Sequence, residues 1–341
     1  LWPLAVSALA VSAAAIYQKI TGNFVVQEFC ENGDNCRVTS FFGYPNAVGL
    51  YLGPIVLVLA GWFSSVIARS VSDEAIPSQR AHQKLLRFTS NDKIVLFFSV
   101  IAIILSLLAI YFAKSEGALI GIIAGLIAFG LLAGKKARWI TMAIIILSVL
   151  GIMIFAPAKD YVSNKILLRD LSGQIRKAQW AETWEMLKDG RLFFGAGLAN
   201  YRNAIKPYHR EGIFIRDYKD PDWHRKTVFN EEYRKKVWQP LEIYLYPHNI
   251  ILNFWAELGL AGALLFIWII FKYFYLGIFN FQFSIFNKFS INKFINIGLI
   301  GAMVVIVVHG LVDVPYFKND LAAMFWLMVA MMGFINIQHN N

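Results

Sequence analysis

The sequence is poor in charged residues. Only 16% of its 341 residues are Asp, Glu, Lys or Arg, whereas 57% are hydrophobic, with 28 Phe and 10 Trp. The mean hydropathy is +0.53, which excludes an ordinary soluble domain and indicates a membrane protein. The formal net charge is nevertheless +10. Many basic residues lie in short segments between apolar runs, a pattern that indicates membrane topology rather than nucleic-acid binding.

The sequence also lacks the features of a metal site, an internal repeat and a signal peptide. No His or Cys cluster has the spacing of metal ligands, so we predict no metal site. There is no internal repeat of the kind found in many transporters. The run 4–16 lacks the charged start and cleavage site of a signal peptide, and we expect further protein N-terminal to this chain.

Cys30 and Cys36 share a short predicted outer loop, where a disulfide is favoured and two free thiols are the alternative.

Long apolar runs dominate the rest of the sequence. Runs of about 17 to 28 residues, enough to cross a hydrocarbon core of roughly 30 Å, recur along the chain. They predict eight spans, at about 2–18, 41–68, 94–113, 117–134, 139–157, 249–275, 294–312 and 320–338. The predicted fold class is therefore all-α, a polytopic membrane helix bundle. We divide it into an N-terminal bundle (1–157), a loop (158–247) and a C-terminal bundle (248–341).

The short loops give the orientation of this bundle. The positive-inside rule puts three segments rich in Lys and Arg in the cytoplasm: 69–93, 135–138 and 276–293. By parity the loop 158–247 is extracytoplasmic, and its own charges do not set the topology because long loops translocate regardless. A helical pattern over 167–190, with Leu171, Ile175, Ala178 and Trp184 near helical spacing, predicts an amphipathic helix that lies on the membrane or on the bundle.

Several polar residues fall on the predicted outer face. Arg37 precedes the second span, Asn46 lies in its first turn, and Asp313 ends the seventh. His248 and Asn249 begin the sixth span. Polar side chains at membrane depth are costly, so each position favours either a function or a structural partner. Histidine titrates near neutral pH, which makes His248 a candidate for proton transfer, with an interfacial capping role as the alternative.

The sixth span and the outer loop hold further candidates. Asn249, Asn253 and Glu257 are spaced i, i+4, i+8 and share one helix face, where interhelical hydrogen bonding is the alternative to a function. The outer loop adds several cations, and the guanidinium groups among them suit a diphosphate: Arg169, Arg176, Lys177, Arg191, Arg202 and Arg210. A solvated surface charge or a lipid-headgroup contact is the alternative for any one arginine.

Together these residues resemble the O-antigen ligase/polymerase family of bacterial membrane glycosyltransferases. The likeness covers nearly the whole chain in the family's order: Arg37 through Pro45 and Asn46; Ser115 with Gly117 and Ala118; Arg176 and Trp180 with Gly195 and Gly197; His248 and Asn249 with Glu257, Gly259 and Gly262; and His309 through Asp313 and Pro315. Two features depart from the family. Members usually have more spans, and many have arginine where this chain has Glu116, so no arginine role carries over to that position.

The resemblance implies a GT-C-like fold and an enzyme that moves a glycan from a polyprenyl-diphosphate carrier to an acceptor hydroxyl, outside the cytoplasmic (inner) membrane. It implies His248 as the catalytic base and Arg37 and Arg176 as diphosphate ligands. It also implies supporting roles for Asn46, Asn249, Glu257 and Asp313. Transfer would invert the anomeric centre without metal or cofactor. The expected partners are the lipid-linked donor, a glycolipid, glycan or protein acceptor, and membrane lipids, with no nucleic acid.

Three other functions remain open at this stage. A protein O-oligosaccharyltransferase would use the same donor chemistry with a protein acceptor. A transporter or channel would need polar residues at the midplane and in the inner half of the bilayer, whereas the polar residues here cluster toward the outer face. A scaffold that presents the outer loop to partners would explain the loop but neither His248 nor Arg37.

Overall fold

A computed structural model describes residues 1–31, 35–73, 90–286, 290–314 and 321–340. Most of the predicted cytoplasmic segment 69–93 lies outside the described residues, as do residues 287–289 of the segment 276–293. Pro315, at the end of the last motif, also lies outside them.

Helices make up most of the described chain. They are α1 Trp2–Thr21, α2 Pro45–Asp73, α3 Ser90–Phe112, α4 Glu116–Ala133, α5 Lys135–Ile154, α6 Ala156–Ile166, α7 Leu171–Met186, α8 Tyr201–Ala204, α9 Trp223–Phe229, α10 Glu231–Val237, α11 Ile250–Phe286, α12 Ser290–Gly310 and α13 Ala322–Asn340. Two short antiparallel strand pairs complete the fold: β1 Cys30–Glu31 with β2 Asn35–Cys36, and β3 Gly212–Phe214 with β4 Trp238–Pro240.

Seven of the described helices are long and apolar enough to cross a membrane: α1, α2, α3, α4, α5, α11 and α12. The predicted span at 320–338 corresponds to α13, whose apolar part Ala322–Ile335 is shorter. The prediction of an all-α polytopic helix bundle is therefore confirmed, and the protein is a multi-pass membrane protein.

The chain forms two compact units. The first comprises Leu1–Thr141, Ile269–His309 and Pro315–Asn341, and the second comprises Met142–Trp268 and Gly310–Val314. The predicted division at residues 157 and 247 follows membrane topology instead, and it stays a prediction.

In the first unit, glycines allow helices to approach closely. A Cβ atom on Gly61 of α2 would lie 3.0 Å from the Cα atom of Gly298 in α12. A Cβ atom on Gly125 of α4 would lie 2.9 Å from the carbonyl oxygen of Gly301, also in α12. Lipid supplies little hydrophobic force between helices, so such close contact is how spans gain packing energy. Both α2 and α4 therefore pack on α12 through glycine.

The connection from α1 to α2 is held by a buried glutamine. The Gln18 side-chain oxygen accepts hydrogen bonds from the backbone N–H groups of Thr39 (3.0 Å) and Ser40 (2.7 Å), and its amide nitrogen donates to the Ser40 carbonyl oxygen (3.0 Å). Buried polar groups need such partners. Cys30 and Cys36 form a disulfide in the same connection, which is the first of the two alternatives predicted for them.

In the second unit, α7 organises the outer loop through polar residues. The Gln174 amide donates to the carbonyl oxygen of Arg216 (3.0 Å) and accepts from its N–H group (2.8 Å). Glu182 accepts a hydrogen bond from the Arg210 N–H group (2.9 Å). Of the predicted apolar stripe, Ala178 is buried, whereas Leu171 and Trp184 are 49% and 40% exposed. Polar residues share the buried face because the irregular loop brings backbone groups that must be paired.

Candidate functional site

His248 lies in the turn that leads into α11. Its backbone φ of 44° is in the left-handed region, where His is among the more tolerated residues. The next residue, Asn249, caps the helix, because its side-chain oxygen accepts a hydrogen bond from the Leu252 N–H group at 2.9 Å. The Asn249 amide also donates to the Leu311 carbonyl oxygen at 3.0 Å. Asn249 therefore fixes the start of α11 and joins it to the chain just before Asp313.

A buried carboxylate faces the His248 ring. The Oδ1 atom of Asp313 is 3.5 Å from the Nδ1 atom of His248, and the two side chains are 1% and 20% exposed. The distance is longer than a usual hydrogen bond. The same Oδ1 atom accepts a hydrogen bond from the Val314 N–H group at 2.8 Å. A carboxylate beside one ring nitrogen of a histidine can orient the ring.

Two tyrosine rings pack against the imidazole. The ring centroids of Tyr244 and Tyr246 are 5.1 Å and 5.0 Å from that of His248, both in edge-to-face geometry. Burial raises the pKa of Tyr244, the charge of Glu242 adds to the rise, and the positive charge of Arg176 opposes it. The rings restrict the orientation of His248, and the electrostatic influence of Arg176 reaches this aromatic group.

Helix α7 holds both sides of the His248–Asp313 pair. The Arg176 Nε atom donates to the carbonyl oxygen of Val312 (2.8 Å), the residue before Asp313. The Trp180 Nε1 atom donates to the carbonyl oxygen of Pro247 (2.8 Å), the residue before His248. The two side chains are four residues apart and so share one helix face. Sequence reasoning left Trp180 without a role, although its i, i+4 spacing from Arg176 is visible in the sequence.

Arg37 and Asn46 come together in the first unit. The Arg37 Nε atom donates to the Ala113 carbonyl oxygen (2.9 Å), and Nη2 donates to the Asn46 side-chain oxygen (2.8 Å). Ala113 directly follows α3, where the helix dipole concentrates negative partial charge. Arg37 therefore has a structural role at the end of α3, beside the turn that contains Ser115.

Glu257 and Asn253 are buried in α11, each 1% exposed. With Asn249 they follow the predicted i, i+4, i+8 face, and burial shows that the inner part of this face packs against protein rather than lipid. The carbonyl oxygen of Glu257 accepts a hydrogen bond from the Gly197 N–H group at 3.0 Å.

The described part of the chain contains no group of three or more His, Cys, Asp or Glu side chains that could hold a metal ion. Guanidinium groups are the cations at the predicted site positions: Arg37 in the first unit and Arg176 in the second. Their paired donors suit phosphate oxygens.

Residues 101–267 match the family described as O-antigen ligase. The matched segment contains Arg176, His248, Asn249 and Glu257, and it ends before Asp313. A search of curated proteins finds no match.

Proposed function

Because residues 101–267 match the family described as O-antigen ligase, we propose that this membrane protein transfers a glycan from a polyprenyl-diphosphate carrier to an acceptor hydroxyl. The family implies activity of the O-antigen ligase or polymerase type. The proposed reaction takes place at the outer face of the cytoplasmic membrane, where α11 begins. The observation that carries the proposal is the His248–Asp313 pair at the start of α11.

In this proposal His248 is the general base. Its Nε2 atom takes the proton of the acceptor hydroxyl while the acceptor oxygen forms a bond to the anomeric carbon of the donor. The bond from that carbon to the diphosphate oxygen breaks, and the diphosphate leaves with the electron pair. One displacement inverts the anomeric centre. Asp313 stabilises the imidazolium that forms, and a positioned base of this kind contributes ~10²–10⁴-fold to the rate.

The leaving diphosphate gains negative charge as its bond to the sugar breaks. Arg176 is the predicted diphosphate ligand that belongs to the same unit as His248, and a preorganised guanidinium stabilises such charge without reorganisation in the transition state. Arg37 remains a proposed second ligand of the diphosphate. Asn46, Asn249 and Glu257 would support these groups, and the reaction so written needs no metal or cofactor.

The molecule that supplies the acceptor hydroxyl is the third component of the proposed reaction. Lipid A core, a growing glycan and a protein hydroxyl all fit the same chemistry. Incubating a defined polyprenyl-linked glycan with each acceptor in proteoliposomes and measuring the product mass would identify it.

The test of the mechanism uses two histidines of the second unit. His209 is a matched control for His248, because its Nδ1 atom is also 3.5 Å from a buried carboxylate, that of Glu182. We expect His248→Ala to abolish transfer in proteoliposomes, while His209→Ala retains it. Thermal unfolding in detergent checks that both variants fold. Near-normal turnover by a folded His248→Ala protein would rule out His248 as the base.

A further inference from the structure

An uncharged apolar segment lies in the second unit between Arg191 and Asn200. Its sequence is Leu192-Phe-Phe-Gly-Ala-Gly-Leu-Ala199. The side chains of Phe193, Phe194 and Leu198 are 63%, 86% and 62% exposed. Such a set of exposed large apolar side chains marks a surface that contacts another apolar phase.

The segment has no helix or strand of its own, and its backbone docks on α11. The Ala196 N–H group donates to the Ala256 carbonyl oxygen (2.7 Å), and the Gly197 N–H group donates to that of Glu257 (3.0 Å). In return, the Leu192 carbonyl oxygen accepts from the Leu260 N–H group (3.2 Å) and from the Trp255 indole (2.8 Å). The exchange satisfies backbone groups on both sides.

A break in α11 makes this exchange possible. Gly259 has φ 71° and ψ −173°, a conformation essentially restricted to glycine. A Cβ atom at this position would lie 1.9 Å from the carbonyl oxygen of Phe193. The break frees the carbonyl groups before Gly259 and the N–H group after it for the segment 192–199.

The docking site lies at one end of a membrane span. The break at Gly259 divides the apolar stretch Ile250–Asn280 and leaves residues 260–280 as its longer part. At 1.5 Å per residue this part is about 32 Å long. A hydrocarbon core is roughly 30 Å thick, so this part alone can cross it. The segment therefore docks at the edge of the hydrocarbon core.

We propose that segment 192–199 inserts into the leaflet in which α11 begins, where Phe193, Phe194 and Leu198 contact lipid acyl chains. Irregular backbone is tolerated at membrane depth where protein satisfies its polar groups, as α11 does here. The insertion anchors the outer loop in the membrane six residues after the end of α7, the helix that holds the His248–Asp313 pair.

The residues just before the segment form its polar edge. The Tyr208 hydroxyl donates to the Asp189 carboxylate and accepts from the Arg191 Nη1 atom at 3.1 Å. The hydrogen bond to Asp189 raises the pKa of Tyr208. In this proposal the charged cluster lies in water. The chain enters the lipid between Arg191 and Leu192.

Site-directed spin labelling tests the insertion. The chain has two cysteines, and both are in the disulfide, so one introduced cysteine takes the only label. The test variant is Phe194→Cys. The lipid control is Leu264→Cys, on the same span and 57% exposed. The aqueous control is Lys235→Cys on α10, whose side chain is 77% exposed.

In phosphatidylethanolamine–phosphatidylglycerol vesicles, collision of the label with oxygen is compared with collision with a water-soluble nickel chelate. We expect the oxygen-to-nickel ratio at position 194 to be several-fold higher than at 235 and close to that at 264. A ratio equal to that at 235 would overturn the proposal. Leu198→Cys provides a second reading should Phe194→Cys fail to fold. The measurement does not involve glycan transfer, so its outcome is independent of the proposed enzyme activity.

Discussion

The substitution Asp313→Asn isolates the charge of the carboxylate that faces His248. Asn has nearly the same shape as Asp, and its side-chain oxygen can still accept the hydrogen bond from the Val314 N–H group. The turn after α12 therefore keeps its backbone contact. What the variant loses is one negative charge, 3.5 Å from the Nδ1 atom of His248.

The size of the effect follows from that distance. Two unit charges 3.5 Å apart interact by about 4.7 kcal/mol at an effective dielectric constant of 20. A barrier increase of that size would slow transfer by about 10³-fold. The imidazole carries only part of a unit charge in the transition state, so the expected loss of rate is smaller. We therefore expect kcat to fall by about 10²–10³-fold. KM for the donor should change little, because Asp313 acts on the charge that develops during proton transfer.

The assay is steady-state transfer of a defined lipid-linked glycan in proteoliposomes, with kcat and KM measured separately. Glu182→Gln is the matched control, since it neutralises the carboxylate that faces His209 at the same distance. Thermal unfolding of both variants identifies any loss of folding. A folded Asp313→Asn protein with nearly normal kcat would refute the electrostatic role of Asp313. Equal loss in Glu182→Gln would show that the effect is not specific to the proposed site.

Two further substitutions test how the site is held. Arg176→Lys keeps the positive charge but cannot reproduce the guanidinium bonds to Val312 and Ser172, so we expect a clear loss of transfer activity; unchanged transfer would argue against guanidinium-specific binding of the diphosphate. Gly259→Ala should lower the free energy of unfolding by at least about 1–3 kcal/mol, since alanine is strained at this φ and ψ and its Cβ atom would also clash with the Phe193 carbonyl oxygen. Gly151→Ala, where a Cβ atom meets nothing within 4 Å, is its control in thermal unfolding, and equal stability of the two variants would contradict the expectation.

The spans were predictable because each depends on a long local run of apolar residues. The predicted spans in the first half of the chain correspond to helices α1 to α5. The thickness of the bilayer requires a similar length of apolar helix from each span. The break at Gly259 was not predictable in this way. Glycine is common in membrane helices, so its presence alone predicts no break. The backbone of Phe193, which leaves no room for a Cβ atom at position 259, lies 66 residues away by the difference in residue numbers.

The buried face of α7 shows the same limit. The apolar pattern pointed to Leu171, Ile175, Ala178 and Trp184. The structure buries Ala178 of this set but leaves Leu171 and Trp184 exposed, and it also buries Gln174 and Glu182. The pattern assumes that a helix buries its side chains against other side chains. Here the partner is the backbone of the outer loop, which must be hydrogen-bonded, and polar residues meet that need. Such a partner has no periodic signal in the sequence, so the direction of α7 could only come from the structure.

The types of residue in the candidate site were predictable from the sequence, but the role of each residue depends on the hydrogen bonds that α7 makes. Arg176 and Trp180 bind the carbonyl groups that immediately precede Asp313 and His248. Arg176 therefore has two roles to separate, one as a ligand of the diphosphate and one in placing Asp313. A loss of diphosphate binding raises KM for the donor, whereas a displaced Asp313 lowers kcat. Because Trp180 carries no charge, its hydrogen bond to Pro247 places His248 without contributing a cation, and a defect in Trp180→Phe reports on placement alone.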